Sequence, residues 1–368
     1  MLQLAYKRNA AEVVERLRQL YRRQAAERIF ATFQLPDPAL DEFARTYGEG
    51  QCAYPEPAAR VAFWDRSLAA RAGLEDDSLP AAYLSEMDQG LYGGMLGGEV
   101  RFMAHPDSGW ISSMVAPLLQ DWSAFDRLRI DRDSLWFQRY LAQLDAFIPA
   151  AAGRFGISHF ILIDSLNLVF ELVGATETYV SLLERPELVR RAIELAFDLN
   201  VLVQDTFFER VGLLDGGTAS NMVQWIEGRV VSESVDPFHM TSVDYFETWG
   251  REPAERILSH YDGGVLHIHG NGRHLLEAVS TLRGLRAIYL GDDRGYPAAL
   301  DALGQLQART GDVPLVVSAA WERFVDALSR RALPGGVLYQ VAGAPSVDAV
   351  NRLMDRVRSY RSTSGFPA

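Results

Sequence analysis

The sequence predicts an α/β fold, a TIM (β/α)8 barrel with an elaborated N-terminal region. Short apolar runs with strand character alternate with amphipathic helical patterns through the second half of the chain, which is typical of a parallel sheet covered by helices. Eight such runs can be counted along the chain, and eight strands close a barrel. The predicted strands are residues 28–33, 98–103, 160–163, 229–233, 265–268, 287–290, 314–317 and 336–340.

The elements follow one another in a simple order. Apolar residues at helical spacing in 10–27 predict an opening helix that leads into the first strand. Residues 37–150 are irregular and rich in aromatic residues, so we expect an insertion or cap within a single barrel domain spanning 1–368. The helices predicted after it are 186–211, 243–259, 272–282, 297–310, 321–331 and 346–361.

An open doubly wound sheet is the alternative fold. No Gly-x-Gly-x-x-Gly sequence follows a predicted strand, and the run from Gly270 to Gly272 lacks the third glycine of the dinucleotide fingerprint. The barrel is therefore favoured, and a nucleotide site is poorly supported.

Composition excludes several classes of function. The formal net charge of -12 repels a phosphate backbone, and the arginine-rich runs are interleaved with acidic residues, so nucleic acid is not an expected ligand. The single cysteine, Cys52, excludes an internal disulfide and is consistent with a reducing compartment. The most apolar stretch, 160–174, is interrupted by Asp164, Asn167 and Glu171. We therefore expect a cytoplasmic protein that does not span a membrane.

The most informative local sequence is His267-Ile268-His269, followed by Gly270. Side chains two residues apart on a strand point to the same face, so the two imidazoles should meet at one strand end. Neutral imidazole is both a common metal ligand and an effective proton-transfer group, and a buried histidine can also serve structure alone. At this point metal binding, proton transfer and a structural role all remain open.

Polar residues follow most of the predicted strands. In a barrel the carboxyl ends of the strands build the active site, so these residues should converge. The candidates for acid or base catalysis are Asp164, Asp236, His269 and Asp292, and the candidate metal ligands are His267, His269 and Asp236. The remaining polar residues at strand ends are Asn167, Glu233, Asp293, Glu322 and Gln340.

Three passages resemble the uroporphyrinogen decarboxylase superfamily, in particular its corrinoid-linked methyltransferase branch. Residues 168–175 and 182–189 are similar to a helical passage of that family, and 236–246 resemble its acidic strand end and the helix after it. The run from His267 to Asn271 resembles the family's His-x-Cys-Gly-(Asp/Asn). The resemblance covers about Gly153 to Tyr360 and identifies the chain as a divergent member.

The resemblance implies a TIM barrel and one of two chemistries. In the methyltransferase branch, His-x-Cys and a later cysteine hold zinc; here His269 replaces the first cysteine and no cysteine lies near 340–344. Thiolate-rich zinc is thereby excluded, whereas two histidines with a carboxylate remain a reasonable set for zinc or iron. The decarboxylase branch carries an arginine motif after the first strand, but this chain has the sequence Gln34-Leu35-Pro36-Asp37 there.

The preferred hypothesis is a metal-dependent enzyme that transfers a methyl group or cleaves a related C-X bond of a small substrate. Zinc or another divalent metal is the expected cofactor, a corrinoid protein is a partner implied by the resemblance alone, and a homodimer is compatible with it. The first alternative is a metal-free decarboxylase of a carboxylated, tetrapyrrole-like substrate, in which Asp236 or Asp164 stabilises a protonated intermediate. The second is a small-molecule binding protein without chemistry.

Overall fold

The computed structural model describes residues 2–362 as a mixed α/β protein. Its strands are β1 Ile29–Phe33, β2 Gly50–Cys52, β3 Ala81–Tyr83, β4 Val100–His105, β5 Trp110–Val115, β6 Gly156–Ser158, β7 Gly217–Ser220, β8 Gln224–Glu227, β9 Val231–Ser234, β10 Gly264–Ile268, β11 Leu285–Leu290, β12 Leu315–Ala320 and β13 Val337–Ala342.

The α-helices are α1 Ala10–Tyr21, α2 Pro38–Tyr47, α3 Pro57–Ala69, α4 Asp88–Met95, α5 Leu135–Ala151, α6 Leu166–Val173, α7 Ala175–Glu184, α8 Pro186–Val211, α9 Val243–Trp249, α10 Arg251–His260, α11 Leu276–Ser280, α12 Leu303–Thr310, α13 Trp321–Ser329 and α14 Val347–Ser359. Short 3-10 helices lie at Ser85–Met87, Trp122–Arg127, Asp236–Met240, Gly270–Leu275 and Ala299–Ala302.

A parallel sheet of six strands forms the centre of the fold, in the order β1-β13-β12-β11-β10-β9. Six of the eight predicted strands are members of this sheet. Its side chains alternate between two hydrophobic clusters, as the two-residue period of a strand requires. Val265 belongs to the cluster enclosed by the sheet, whereas Leu266 and Ile268 pack into the larger cluster between the sheet and its helices.

Helix α1 closes one end of the enclosed cluster. Its buried side chains, among them Val13, Leu17 and Tyr21, pack with Phe30 and Val265 near the amino ends of the strands. Pro186–Val211 has the predicted bounds, and the predicted helix 243–259 is divided into α9 and α10 at Gly250. The carboxyl ends of the parallel strands are thus left to build a site.

Two of the eight predicted barrel strands are not members of the parallel sheet. Residues 160–163 are largely buried but form no strand. The Asn200 side chain takes the place of a neighbouring strand, because it accepts from the Ile163 N–H (3.0 Å) and donates to its carbonyl (2.9 Å). The strand in this region is β6, which begins four residues earlier and pairs in parallel with β3. Residues 98–103 contribute to β4, which pairs antiparallel with β2 and β5.

The parallel sheet does not close, so the predicted closed barrel is not confirmed. On the β1 side, two carboxylates take the place of strand acceptors: the Phe33 N–H donates to Asp76 (2.8 Å) and the Ala31 N–H donates to Asp77 (2.9 Å). On the β9 side, the Leu162 N–H donates to the Ser232 carbonyl (2.9 Å). The β3-β6 pair is therefore a separate two-stranded sheet that forms no strand pairing with β1 or β9.

The residues assigned to the predicted cap, 37–150, contain α2 to α5 and the antiparallel sheet β2-β4-β5, together with β3. In the described part of the chain no single helix is long and apolar enough to cross a membrane. One bent pair, α6 with α7 at an angle of 112°, meets the length and composition test together.

Candidate functional site

A cavity of about 610 Å³ lies at the carboxyl ends of β9, β10 and β11. The 3-10 helix after β9 contributes Asp236 and His239, the residue after β10 is His269, and the loop after β11 contributes Asp293. Parallel strands present their carboxyl ends at one edge of a sheet, which explains why residues distant in sequence meet here. The predicted residues Asp236 and His269 are brought together.

Two carboxylates flank the ring of His269. Its Nδ1 lies 2.9 Å from Asp293 Oδ1, while its Nε2 lies 3.9 Å from Asp236 Oδ2. A carboxylate only accepts hydrogen bonds, so Nδ1 carries a proton, and in the neutral ring the lone pair is on Nε2. The Gly270 N–H also donates to Asp293 (2.6 Å). Although burial alone would raise it, these hydrogen bonds lower the pKa of Asp293, so it is a carboxylate at neutral pH.

His239 is a site residue that sequence reasoning missed. The ring is buried with its Nδ1 3.5 Å from Asp236 Oδ1, and its centroid lies 5.7 Å from that of His269. Burial, followed by the charges of His269 and His267, lowers the pKa of His239 to about 3, so the ring is neutral. The only signal in the sequence was its spacing three residues after Asp236, on a helix too short to show a periodic pattern.

His267 lies behind the cavity rather than on its wall. The ring is 4.3 Å from that of His269 and 5.2 Å from that of Tyr289, between centroids, and a Cβ on Gly291 would lie 2.9 Å from its Nε2. Burial and the charge of His269 lower the pKa of His267 to about 4. Of the predicted metal ligands, the structure thus places His269 and Asp236 on the cavity and His267 beside Gly291.

Asp164 is not part of the cavity wall. It forms a buried acidic pair with Glu233 of β9. Glu233 lies two residues after Val231 and therefore on the same face of the strand, the face that packs against the helices. Burial raises the pKa of Asp164 to about 7, and burial together with the charge of Asp164 raises that of Glu233 well above its ordinary value. At neutral pH the pair therefore holds at least one proton between the sheet and the helices.

Asp292 is held by structural contacts. It lies 3.0 Å from the Arg273 guanidinium and accepts from the Ala299 N–H (2.7 Å), the first residue of a 3-10 helix. The carboxylate that contacts His269 is that of Asp293, not that of Asp292. Among the other polar strand-end residues, Asn167 lines the cavity and donates to the Ser234 carbonyl (2.9 Å), and Gln340 donates to the Met222 carbonyl (2.9 Å).

The wall formed by α6 carries a second missed residue, Glu171. Its Oε2 is buried and has no hydrogen-bond partner. Burial, followed by the negative charge of Asp88, raises the pKa of Glu171 well above its ordinary value, and burial raises the pKa of Asp88 to about 7. In the sequence, Glu171 stands out only as a polar interruption of an apolar stretch.

The chemical types of the residues around Asp236 suit a divalent metal ion. Two imidazoles and one carboxylate form a known ligand set for zinc and iron, with tetrahedral ligand atoms about 3.4 Å apart. Within residues 2–362 no three side chains of His, Cys, Asp or Glu are already grouped at metal-binding distances. The half-exposed Asp236 is nevertheless 3.5 Å from His239 and 3.9 Å from His269, and its Oδ1 is buried without a hydrogen-bond partner. Asp236 is therefore the residue that the two imidazoles share.

Comparisons with known proteins identify the fold alone. No family model matches the chain, and no curated protein sequence matches it. Among solved structures, the chain is similar to a methyltransferase from Methanosarcina mazei, with a TM-score of 0.61 and 14% sequence identity over 94% of this chain and 98% of that one. The two proteins share their overall fold across nearly their full lengths.

Proposed function

We propose that this protein is an enzyme that holds a divalent metal ion with Asp236, His239 and His269 and transfers a methyl group, or cleaves a related C-X bond, of a small substrate. The contact between His269 Nδ1 and Asp293 carries the proposal, because it leaves the Nε2 lone pair facing Asp236. A histidine ligand oriented by a carboxylate on its other nitrogen is the usual arrangement around catalytic metals.

Each residue of the proposed metal site has a defined role. Asp293 keeps the proton on His269 Nδ1, and its own position is fixed by the Gly270 N–H. Burial keeps His239 neutral and able to donate its lone pair. A bound zinc or iron ion would polarise the substrate or lower the pKa of its nucleophile.

Two lines of support come from outside the site. The three passages quoted above resemble the methyltransferase branch of the uroporphyrinogen decarboxylase superfamily, and the structurally similar protein from Methanosarcina mazei is described as a methyltransferase. From the resemblance we also propose a corrinoid protein as the partner in methyl transfer.

Elemental analysis of the purified protein tests the metal site. We expect about one zinc or iron per chain, lost in His239→Ala and in His269→Ala and retained in His267→Ala, whose ring lies off the cavity wall. Loss of metal in His267→Ala would show that the ligand set is built on His267. Absence of metal from the wild-type protein, even after supplementation with zinc and iron, would refute the proposal and favour the metal-free decarboxylase.

A further inference from the structure

The wall of the cavity is rich in carboxyl groups. Three carboxyl groups line it, those of Glu171, Asp236 and Asp293. No lysine or arginine is among the lining residues in the part of the chain that the structure describes, and a buried charge without a partner is strongly unfavourable. Apart from the proposed metal ion and its imidazole ligands, a carboxylated substrate would therefore find no counter-ion in this wall, whereas a cation would find the carboxyl group of Glu171.

Glu171 is the carboxyl group in this wall that the proposed metal site does not use. One of its oxygens is buried without a hydrogen-bond partner, and Asp88 is a second buried acid behind it on α4. Burial stabilises both groups in their protonated forms, and the charge of Asp88 adds to this effect on Glu171. A cation bound in the cavity would supply a compensating positive charge.

The rest of the wall is apolar and polarisable. Phe170, Met114, Met240 and Tyr296 line the same cavity. The Phe170 ring is held edge-on by Tyr179, with centroids 5.5 Å apart. Aromatic faces attract cations, and thioethers adapt to methyl groups of irregular shape. Carboxyl groups combined with such surfaces suit a cation whose charge is covered by methyl groups.

We propose that this cavity binds a small organic cation, a methylated ammonium or sulfonium compound, with Glu171 as its counter-ion. The inference rests on the proposed function, for which it names the substrate class. Transfer of a methyl group from such a cation breaks one C–N or C–S bond and forms one bond from the methyl carbon to a nucleophile. The bonding electron pair stays on the neutral amine or sulfide, so no oxidant or reductant is required.

Isothermal titration calorimetry on the wild-type protein tests the charge preference directly. The probes are choline, its neutral isostere 3,3-dimethylbutan-1-ol, and the anion 3,3-dimethylbutanoate, with tetramethylammonium and trimethylsulfonium as further cations. We expect at least one cation to bind ten or more times more tightly than the alcohol, and the anion to bind more weakly still. Equal binding of the alcohol, tighter binding of the anion, or no binding of any cation would overturn the inference.

Variants locate the counter-ion. Glu171→Gln keeps the size of the side chain and removes its charge, so the preference for the cation over the alcohol should fall at least tenfold, while Glu171→Asp should retain part of it. Glu184→Gln, on an exposed residue of α7, is the matched control and should bind as the wild type does. An unchanged preference in Glu171→Gln, with an unchanged near-ultraviolet circular dichroism spectrum, would refute the role of Glu171.

The two proposals fail separately. A protein that prefers cations but contains no metal after supplementation would refute the metal site and leave the substrate class standing. A protein that holds one metal per chain but shows no preference for cations would do the reverse. Both measurements can be made on the same purified samples.

Discussion

Asp293→Asn should change which nitrogen of His269 carries the proton. The carboxylate now accepts two hydrogen bonds, from the Gly270 N–H (2.6 Å) and from His269 Nδ1 (2.9 Å). An asparagine has only one accepting atom, and the backbone N–H of Gly270 cannot become an acceptor. The amide oxygen must then face Gly270, and the amide NH2 must face His269, whose Nδ1 loses its proton. The proton moves to Nε2 and blocks the lone pair that faces Asp236.

The size of the effect follows from this exchange. Loss of an orienting carboxylate next to a ligating histidine weakens metal binding about 10- to 100-fold, which corresponds to about 1.4–2.7 kcal/mol. Competition titration with a chromophoric chelator measures the affinity, and long-range ¹H–¹⁵N NMR of the histidine rings in metal-free protein reports the tautomer. Asp292→Asn is the matched control, because Asp292 contacts Arg273 and the Ala299 N–H instead, and it should keep the wild-type tautomer and affinity. An Asp293→Asn protein with Nδ1 still protonated would refute the reasoning.

Three further outcomes are expected. Asp76→Ala should lower the free energy of unfolding by about 3–5 kcal/mol, because it leaves the buried Lys7 ammonium, 2.7 Å from the carboxylate, without its partner. Urea denaturation checks this, and replacing both residues, Lys7→Met with Asp76→Leu, should recover only part of the loss, because the Phe33 N–H still lacks its acceptor. Asp164→Asn should stabilise the protein at pH 8 and lose this advantage at pH 4. The pKa of Asp164 in the folded protein, about 7, lies above its ordinary value of 3.8, so Asp164 lowers the free energy of unfolding increasingly as pH rises between these values. Equal effects of the substitution on the urea midpoint at both pH values would contradict this reasoning. Gly272→Ala should abolish metal binding as His239→Ala does, because the new Cβ would overlap the His239 ring, and retained metal in elemental analysis would place His239 outside the ligand set.

The parallel sheet was predictable where a strand's partners are other strands. β10 to β13 carry mainly apolar runs between turn signals, and α8 carries a regular apolar stripe, so local pattern and tertiary packing agree. The prediction failed where a side chain takes the place of a strand. The Asn200 side chain accepts the hydrogen bond of the Ile163 N–H, and Asp76 and Asp77 accept those of two N–H groups of β1. A side chain that replaces a strand in this way leaves no periodic pattern in the sequence.

The candidate site was predictable in part for a related reason. His269 and Asp236 follow strands, and strand ends converge whatever the details of the sheet. His239 lies on a five-residue 3-10 helix and Glu171 within an apolar helix, so nothing in their spacing set them apart from structural residues. Their position on the cavity emerges only when α6 and the segment after β9 are packed together.

The closure of one end of the enclosed cluster by α1 has a kinetic consequence. With the amino ends of the strands covered by Val13, Leu17 and Tyr21, small molecules reach His269 and leave it through the opposite opening. Arrival and departure then share one route, and a reaction product that lingers there excludes the next substrate molecule. If the proposed reaction takes place here, product in the opening would compete with substrate, so product inhibition should be relieved by rising substrate concentration.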